Sequence, residues 1–145
     1  MSHASWHKKP GIVGSAAPMV MQRAPREELT KALQDSGARL LIGTDTPAPC
    51  VVPGFSVRDE LEDLVDAGLT PYEALRAATA NAGEFLGVNS GQIAVGQRAD
   101  FILLRANPLE DVRNVSQLAG VVLNGRWLPP NELQRMLDNP ARLSH

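Results

Sequence analysis

The stretch that most limits what this chain can become is Leu40-Leu41-Ile42-Gly43-Thr44-Asp45. Its three successive apolar residues read as a short buried strand over residues 39–43. The chain then delivers a carboxylate, Asp45, into a loop over 44–56 that also carries Cys50, Pro47, Pro49 and Pro53. An acid just beyond the carboxyl end of a parallel-type strand is where α/β enzymes commonly keep a catalytic group. On either side lie helical patterns. Leu29, Ala32 and Leu33 predict a helix over 26–36 that stops at Gly37. Leu61, Leu64 and Val65 predict another ending at Gly68. Helix, strand, helix is the order of one slice of an α/β protein.

The next helix is announced most clearly. Thr70 caps it, Pro71 suits the first helical position, and Glu73 completes a capping box. Leu75 and Ala78 supply its buried stripe. Asn81 and Glu84 repeat the capping pattern for a short helix that stops at Gly87. Ala74, Ala77, Ala78, Ala80 and Ala82 make this region small-residue rich, so neighbouring elements are expected to approach closely. Beyond Gly87 the period changes. Residues 91–105, GQIAVGQRADFILLR, offer β-like runs, and VVLNGRWL is two strands joined by Asn124-Gly125, a strong hairpin signal. Pro129 and Pro130 end the strand, and Leu133, Met136 and Leu137 predict a terminal helix. The resulting organisation is an irregular segment over 1–25, an α/β part over 26–87, a β-rich part over 88–128, and a terminal helix and tail over 129–145.

Several function classes fall away on composition. The 145 residues carry a net charge of -2 with 4% aromatics, so there is neither the basic field nor the stacking surface that nucleic acid needs. No apolar run approaches the roughly 20 residues that span a bilayer, and no membrane partner is expected. Cys50 is the single cysteine, which excludes an internal disulfide and fits a reducing compartment. With no apolar stretch behind Lys8 and Lys9 to make a leader, a cytoplasmic location is the expectation.

Four blocks in consistent order, LLIGTDTPAP, ELEDLVDAGLTPYEALRAATANAGEFLG, GQIAVGQRADFILLRANPLEDV and GVVLNGRWL, resemble the carboxyl-terminal portion of the amidohydrolase superfamily. Imidazolonepropionase-like and prolidase-like metal-dependent hydrolases are the nearest in flavour. The resemblance implies the last strand and helices of a (β/α)8 barrel followed by part of a small β-sandwich, incomplete as a single chain. It implies a hydrolase of carbon–nitrogen bonds, other than ordinary peptide bonds or in dipeptides. Its implied cofactor is a divalent metal, most naturally zinc, and its implied substrate a small amide, cyclic amide or dipeptide. Asp45 takes the role of metal ligand and general base. It would accept a proton from metal-activated water and pass it to the leaving nitrogen. Thr44 and Thr46 flank it and are candidates to orient it.

The rest of such a site is missing from the sequence. Family members use a His-x-His pair, a bridging carboxylate or lysine, and further histidines, whereas this chain has only His3, His7 and His145. A zinc site needs three or four protein ligands, and a complete barrel runs to about 250 residues. The expectation is therefore the tail of an enzyme, with an absent amino-terminal portion or another copy of the chain as its partner. His3 and His7 stand at i,i+4 but read better as an exposed tail than as ligands. Cys50 reads as a packing residue, Glu60 as solvent-facing or helix-capping, and Asp100 as a turn residue. Arg58 stands where relatives often carry His. A second reading is a catalytically inactive interaction or structural subunit, and a third a binding module using the cleft above Asp45. Asp45 is expected to face an open cavity from the strand's end. The strands at 101–104 and 121–123 are expected to lack their partners.

Overall fold

The computed structural model describes residues 23–46 and 54–138. Helix α1, Arg23–Asp35, ends where Gly37 turns the chain (φ 83°). There the Ala38 N–H donates to the Leu33 carbonyl at 3.0 Å. Helix α2, Ser56–Asp66, ends similarly, with Leu69 donating to Leu64 at 3.1 Å. Helix α3, Pro71–Ala78, carries the full capping box. The Glu73 N–H donates to Thr70 Oγ1 at 3.2 Å, and the Thr70 N–H donates to Glu73 Oε2 at 2.7 Å. These bonds hold the Glu73 carboxyl below its ordinary range, the backbone donor of Thr70 first among the causes.

Helix α4, Ala80–Leu86, departs from expectation at its start. Its cap position is Thr79 with no side-chain cap bond, and Asn81 is already inside the helix. The Asn81 amide instead reaches back across the fold to Leu40, and tertiary bonding overrides its local capping preference. The stop at Gly87 is as expected, in the left-handed conformation at φ 65°. Gly83 is needed for a different reason. A Cβ there would lie 2.1 Å from the Ser90 carbonyl oxygen, so only glycine lets residues 90–91 cross the helix so closely.

Residues 39–43 do not form the expected strand. Among the described residues, the run 38–45 has no ladder partner. A strand exists through its neighbours, and the apolar sequence alone cannot supply them. The core sits instead between α2, α3 and a 3-10 helix at Val112–Ser116. Leu61, Ala74 and Val112 are buried together, with Leu64, Val65, Leu75, Ala78 and Val115 packed around them. Val112 and Val115 come from beyond residue 88, so the two compositionally distinct parts share one core.

The sheet has three antiparallel strands in the order β1 (Phe101–Leu104), β2 (Leu118–Leu123) and β3 (Arg126–Leu128). Phe101 faces Val122, and Val122 faces Trp127. The strands at 101–104 and 121–123, expected to lack partners, thus pair with each other. Yet β1 remains uncovered. Phe101, Ile102 and Leu103 are 38%, 49% and 52% exposed, and because successive strand residues point to opposite faces, both faces of β1 are open. The GQIAVG run forms no strand, and its Ile93 and Val95 are exposed. The predicted terminal helix is present as α5, Pro130–Asp138, tied to the hairpin by an Arg126–Glu132 ion pair. No helix among the described residues is long and apolar enough to cross a membrane.

Asp100 fastens the hairpin. Asn124 and Gly125 both take positive φ (50° and 77°), the pairing that a two-residue turn matched to strand twist requires. The Asn124 N–H donates to Asp100 Oδ1, the Gly125 N–H donates to the Ala99 carbonyl at 2.9 Å, and Arg98 pairs with Oδ2. The Asn124 bond and then the Arg98 guanidinium hold the Asp100 carboxyl below its ordinary value. A depressed carboxylate contributes stability above its unfolded-state pKa and loses it as pH falls through the folded-state value. Hairpin amides at 121–126 should therefore lose protection, measured against their intrinsic exchange rates at each pH, as pH drops below the ordinary carboxylate range. Asp100→Asn should exchange faster at neutral pH and lose that acid dependence. Gly83→Ala should cost about 1–3 kcal/mol in chemical denaturation, from the collision with Ser90.

Candidate functional site

The Gly43-Thr44-Asp45 run leaves α1 through residues 38–42 and lies against α2. With no ladder to define it, side chains hold it at two points. The Asn81 Nδ2 donates to the Leu40 carbonyl at 2.9 Å, while Asn81 Oδ1 accepts from Arg76 Nε at 3.1 Å. The Gly43 N–H donates to Glu60 Oε2 at 2.9 Å. Beside the run an open groove of about 600 Å³ is walled by Arg26 and Thr30 of α1, Leu41–Gly43, and Glu60, Asp63 and Leu64 of α2.

Asp45 is exposed and is not among the residues that line this groove; Gly43, two residues before it, is. It adopts φ 52°, a left-handed conformation that L-residues avoid, although Asp tolerates it better than most. Thr44 and Thr46 do not orient it in the way expected. Their hydroxyls bond each other at 2.8 Å and close a small bracket around Asp45. Glu60 does not cap α2; it is half-exposed on the groove and its carboxylate accepts the Gly43 N–H. Arg58 stacks its guanidinium over Phe55, 4.8 Å from the ring centre. Cys50, His3, His7 and His145 lie outside the described residues.

Among the described residues no group of three or more His, Cys, Asp or Glu side chains is placed to hold a metal ion. Asp45 offers one carboxylate where zinc takes three or four protein ligands. The described residues therefore do not fit a metal by themselves, and any ligand set that includes Asp45 is completed by groups beyond them. Asp45 presents an exposed carboxylate on a left-handed turn, two residues beyond Gly43 of the groove wall.

The amidohydrolase family model matches residues 13–128. This chain belongs to the amidohydrolase family. It is 42% identical over 82 residues to ochratoxinase of Aspergillus niger, a match covering 54% of this chain and 16% of that protein. Over 113 residues it is 37% identical to imidazolonepropionase of Rubrobacter xylanophilus, covering 69% of this chain and 25% of the relative. Among solved structures, phenylurea hydrolase B superposes with a TM-score of 0.60 at 26% identity, over 68% of this chain and 26% of that one. A Xaa-Pro dipeptidase with methionine bound in its active site gives a TM-score of 0.66 at 23% identity. That match covers 77% of this chain and 28% of the dipeptidase, and at this identity it bears on the fold alone. The amidohydrolase chain thus spans a sixth to about a quarter of the lengths of these relatives.

Two contacts went unread in the sequence. Glu60, Asp63, Leu64 and Ala67 all line the groove, and their i, i+3, i+4, i+7 spacing marks one helical face, so a Glu leading that face was a discoverable signal. Asn81 carried no comparable signal, because its partner is 41 residues away.

The left-handed backbone at Asp45 has a measurable consequence. Asp45→Gly should leave the melting temperature unchanged or raise it, since glycine takes this φ without strain. Asp45→Val should lower it, because a β-branched residue is least tolerant there. Thermal melts of both variants beside the parent check this.

Proposed function

We propose that this chain works as the carboxyl-terminal part of a metal-dependent amidohydrolase. The complete enzyme would hydrolyse carbon–nitrogen bonds of a small amide, a cyclic amide or a dipeptide. Asp45 serves it as metal ligand and general base, accepting a proton from the attacking water and returning it to the leaving nitrogen. Residues 26–87 take the place of the last barrel strand with its helices, and 88–128 that of part of a β-sandwich. The observation that carries the reading is Asp45 itself, within the matched span 13–128, held in a strained left-handed turn two residues beyond Gly43 of the groove wall. Strained backbone persists where the surroundings over-determine it, and such positions cluster at functional sites. The names of the relatives, imidazolonepropionase and phenylurea hydrolase among them, support the substrate class.

One observation favours a second reading, an inactive interaction or structural subunit. Apolar side chains on both faces of β1, together with Ile93 and Val95, are left for another polypeptide to cover. Both readings predict that the chain alone shows no hydrolytic turnover and retains no stoichiometric zinc after dialysis. They part when a relative's amino-terminal portion carrying His-x-His is supplied in trans. The enzymatic reading expects zinc retention and turnover to appear, both abolished by Asp45→Ala. A stable complex that neither binds zinc nor turns over substrate would leave the subunit reading. Turnover by the purified chain alone would overthrow the division of the site.

A further inference from the structure

We propose that Glu60 is a positioning residue for Asp45. By accepting the Gly43 N–H, its carboxylate sets the Gly43–Asp45 turn on which the acid is carried. The inference rests on the reading of Asp45 as the functional acid and extends it to a residue with no place in the ligand set.

Residues 38–45 have no ladder partner among the described residues, so no repeating hydrogen bonds fix their course. The Asn81 bond acts at Leu40, five residues before the acid, and the Glu60 bond at Gly43, two before it. Glu60 is itself well anchored. The next residue on α2, Leu61, is 4% exposed at the centre of the core. A chain of fixed geometry therefore runs from the core through Leu61 and Glu60 to the Gly43 amide. The Gly43–Glu60 bond is exposed and of ordinary length at 2.9 Å, and its acceptor is an ionisable carboxylate, which strengthens a backbone N–H bond over a neutral acceptor. It is the kind of restraint that can hold a left-handed residue two positions on.

Competing roles for Glu60 are taken by other residues. Helix α2 begins at Ser56, with Asp59 the acid of its first turn, so Glu60 does not cap it. Arg58, the nearest cation on the same helix, is engaged with Phe55. At Gly43 a Cβ would meet nothing within 4 Å and φ is not positive, so glycine is not required there for space or conformation. What Gly43 contributes to this contact is its N–H.

The test uses the full 145-residue chain in metal-free buffer, comparing the parent with Glu60→Ala, Glu60→Gln, Gly43→Ala and Gly43→Pro by amide exchange and NMR. Glu60→Ala should speed exchange at Gly43 about tenfold. It should also move the Asp45 Cα and Cβ shifts away from left-handed values, with helix content unchanged. Glu60→Gln, whose amide oxygen can accept the same N–H, should keep the Asp45 shifts near the parent's. Gly43→Ala should also keep them, whereas Gly43→Pro, which removes the donor, should displace them even if Glu60→Ala does not fold. Asp45 shifts unmoved in Glu60→Ala or in Gly43→Pro would overturn the proposal, and so would equal displacement by Glu60→Gln and Glu60→Ala. No metal enters these measurements. Loss of Asp45 as a ligand would leave their outcome standing, and failure here would leave the zinc experiment untouched.

Discussion

Among the described residues, Leu61, Ala74 and Val112 meet where the helical and β-rich parts of this amidohydrolase chain touch through buried apolar side chains. Leu61 comes from α2, Ala74 from α3, and Val112 from the 3-10 helix that precedes β2. Burying a leucine of this kind stabilises by roughly 2 kcal/mol, and Ala74 at 0% exposure lets the elements approach closely enough for that burial. No large side chain among the described residues is fully buried. The junction is therefore small, and the orientation of α2 depends on it directly. Through α2 it also fixes Glu60, and through Glu60 the Gly43 amide.

The segment before Asp45 shows how a chain proceeds when its ladder is absent. Leu40 and Gly43 would ordinarily exchange backbone hydrogen bonds with flanking strands. Here an Asn side chain and a Glu side chain supply one bond each. A carboxylate and an amide brought from two different helices define positions that a ladder would define by repetition. The hydroxyl pair of Thr44 and Thr46 then closes the turn around an acid in a left-handed conformation. The hairpin uses the same device. Asp100, the residue just before β1, holds Asn124 through its carboxylate, beside the backbone bond from Gly125 to Ala99.

Local chemistry made much of this legible in the sequence. Thr70, Pro71 and Glu73 act on backbone groups within four residues of themselves, so their capping box could be read without any knowledge of the fold. Gly37, Gly68 and Gly87 mark helix ends for the same reason, and Asn124-Gly125 specifies a turn that matches strand twist. Asp45 could be named as the candidate acid because it closes an apolar run in a recognisable motif. What surrounds it could not be named: Thr44 and Thr46 turned to each other, and Glu60 was diverted to a backbone amide 17 residues away.

Sequence by itself determined the helices, the hairpin and the family, because each is written in neighbouring residues or in a motif. Tertiary structure alone decided that Leu40-Leu41-Ile42 would not become a strand, that Asn81 would bind Leu40 instead of capping α4, and that Val112 would enter the core of α2 and α3. The physical reason is common to all three. Strand pairing, long-range hydrogen bonds and core packing are properties of what stands opposite a residue, and the residues opposite are set by the whole arrangement rather than by the segment that meets them.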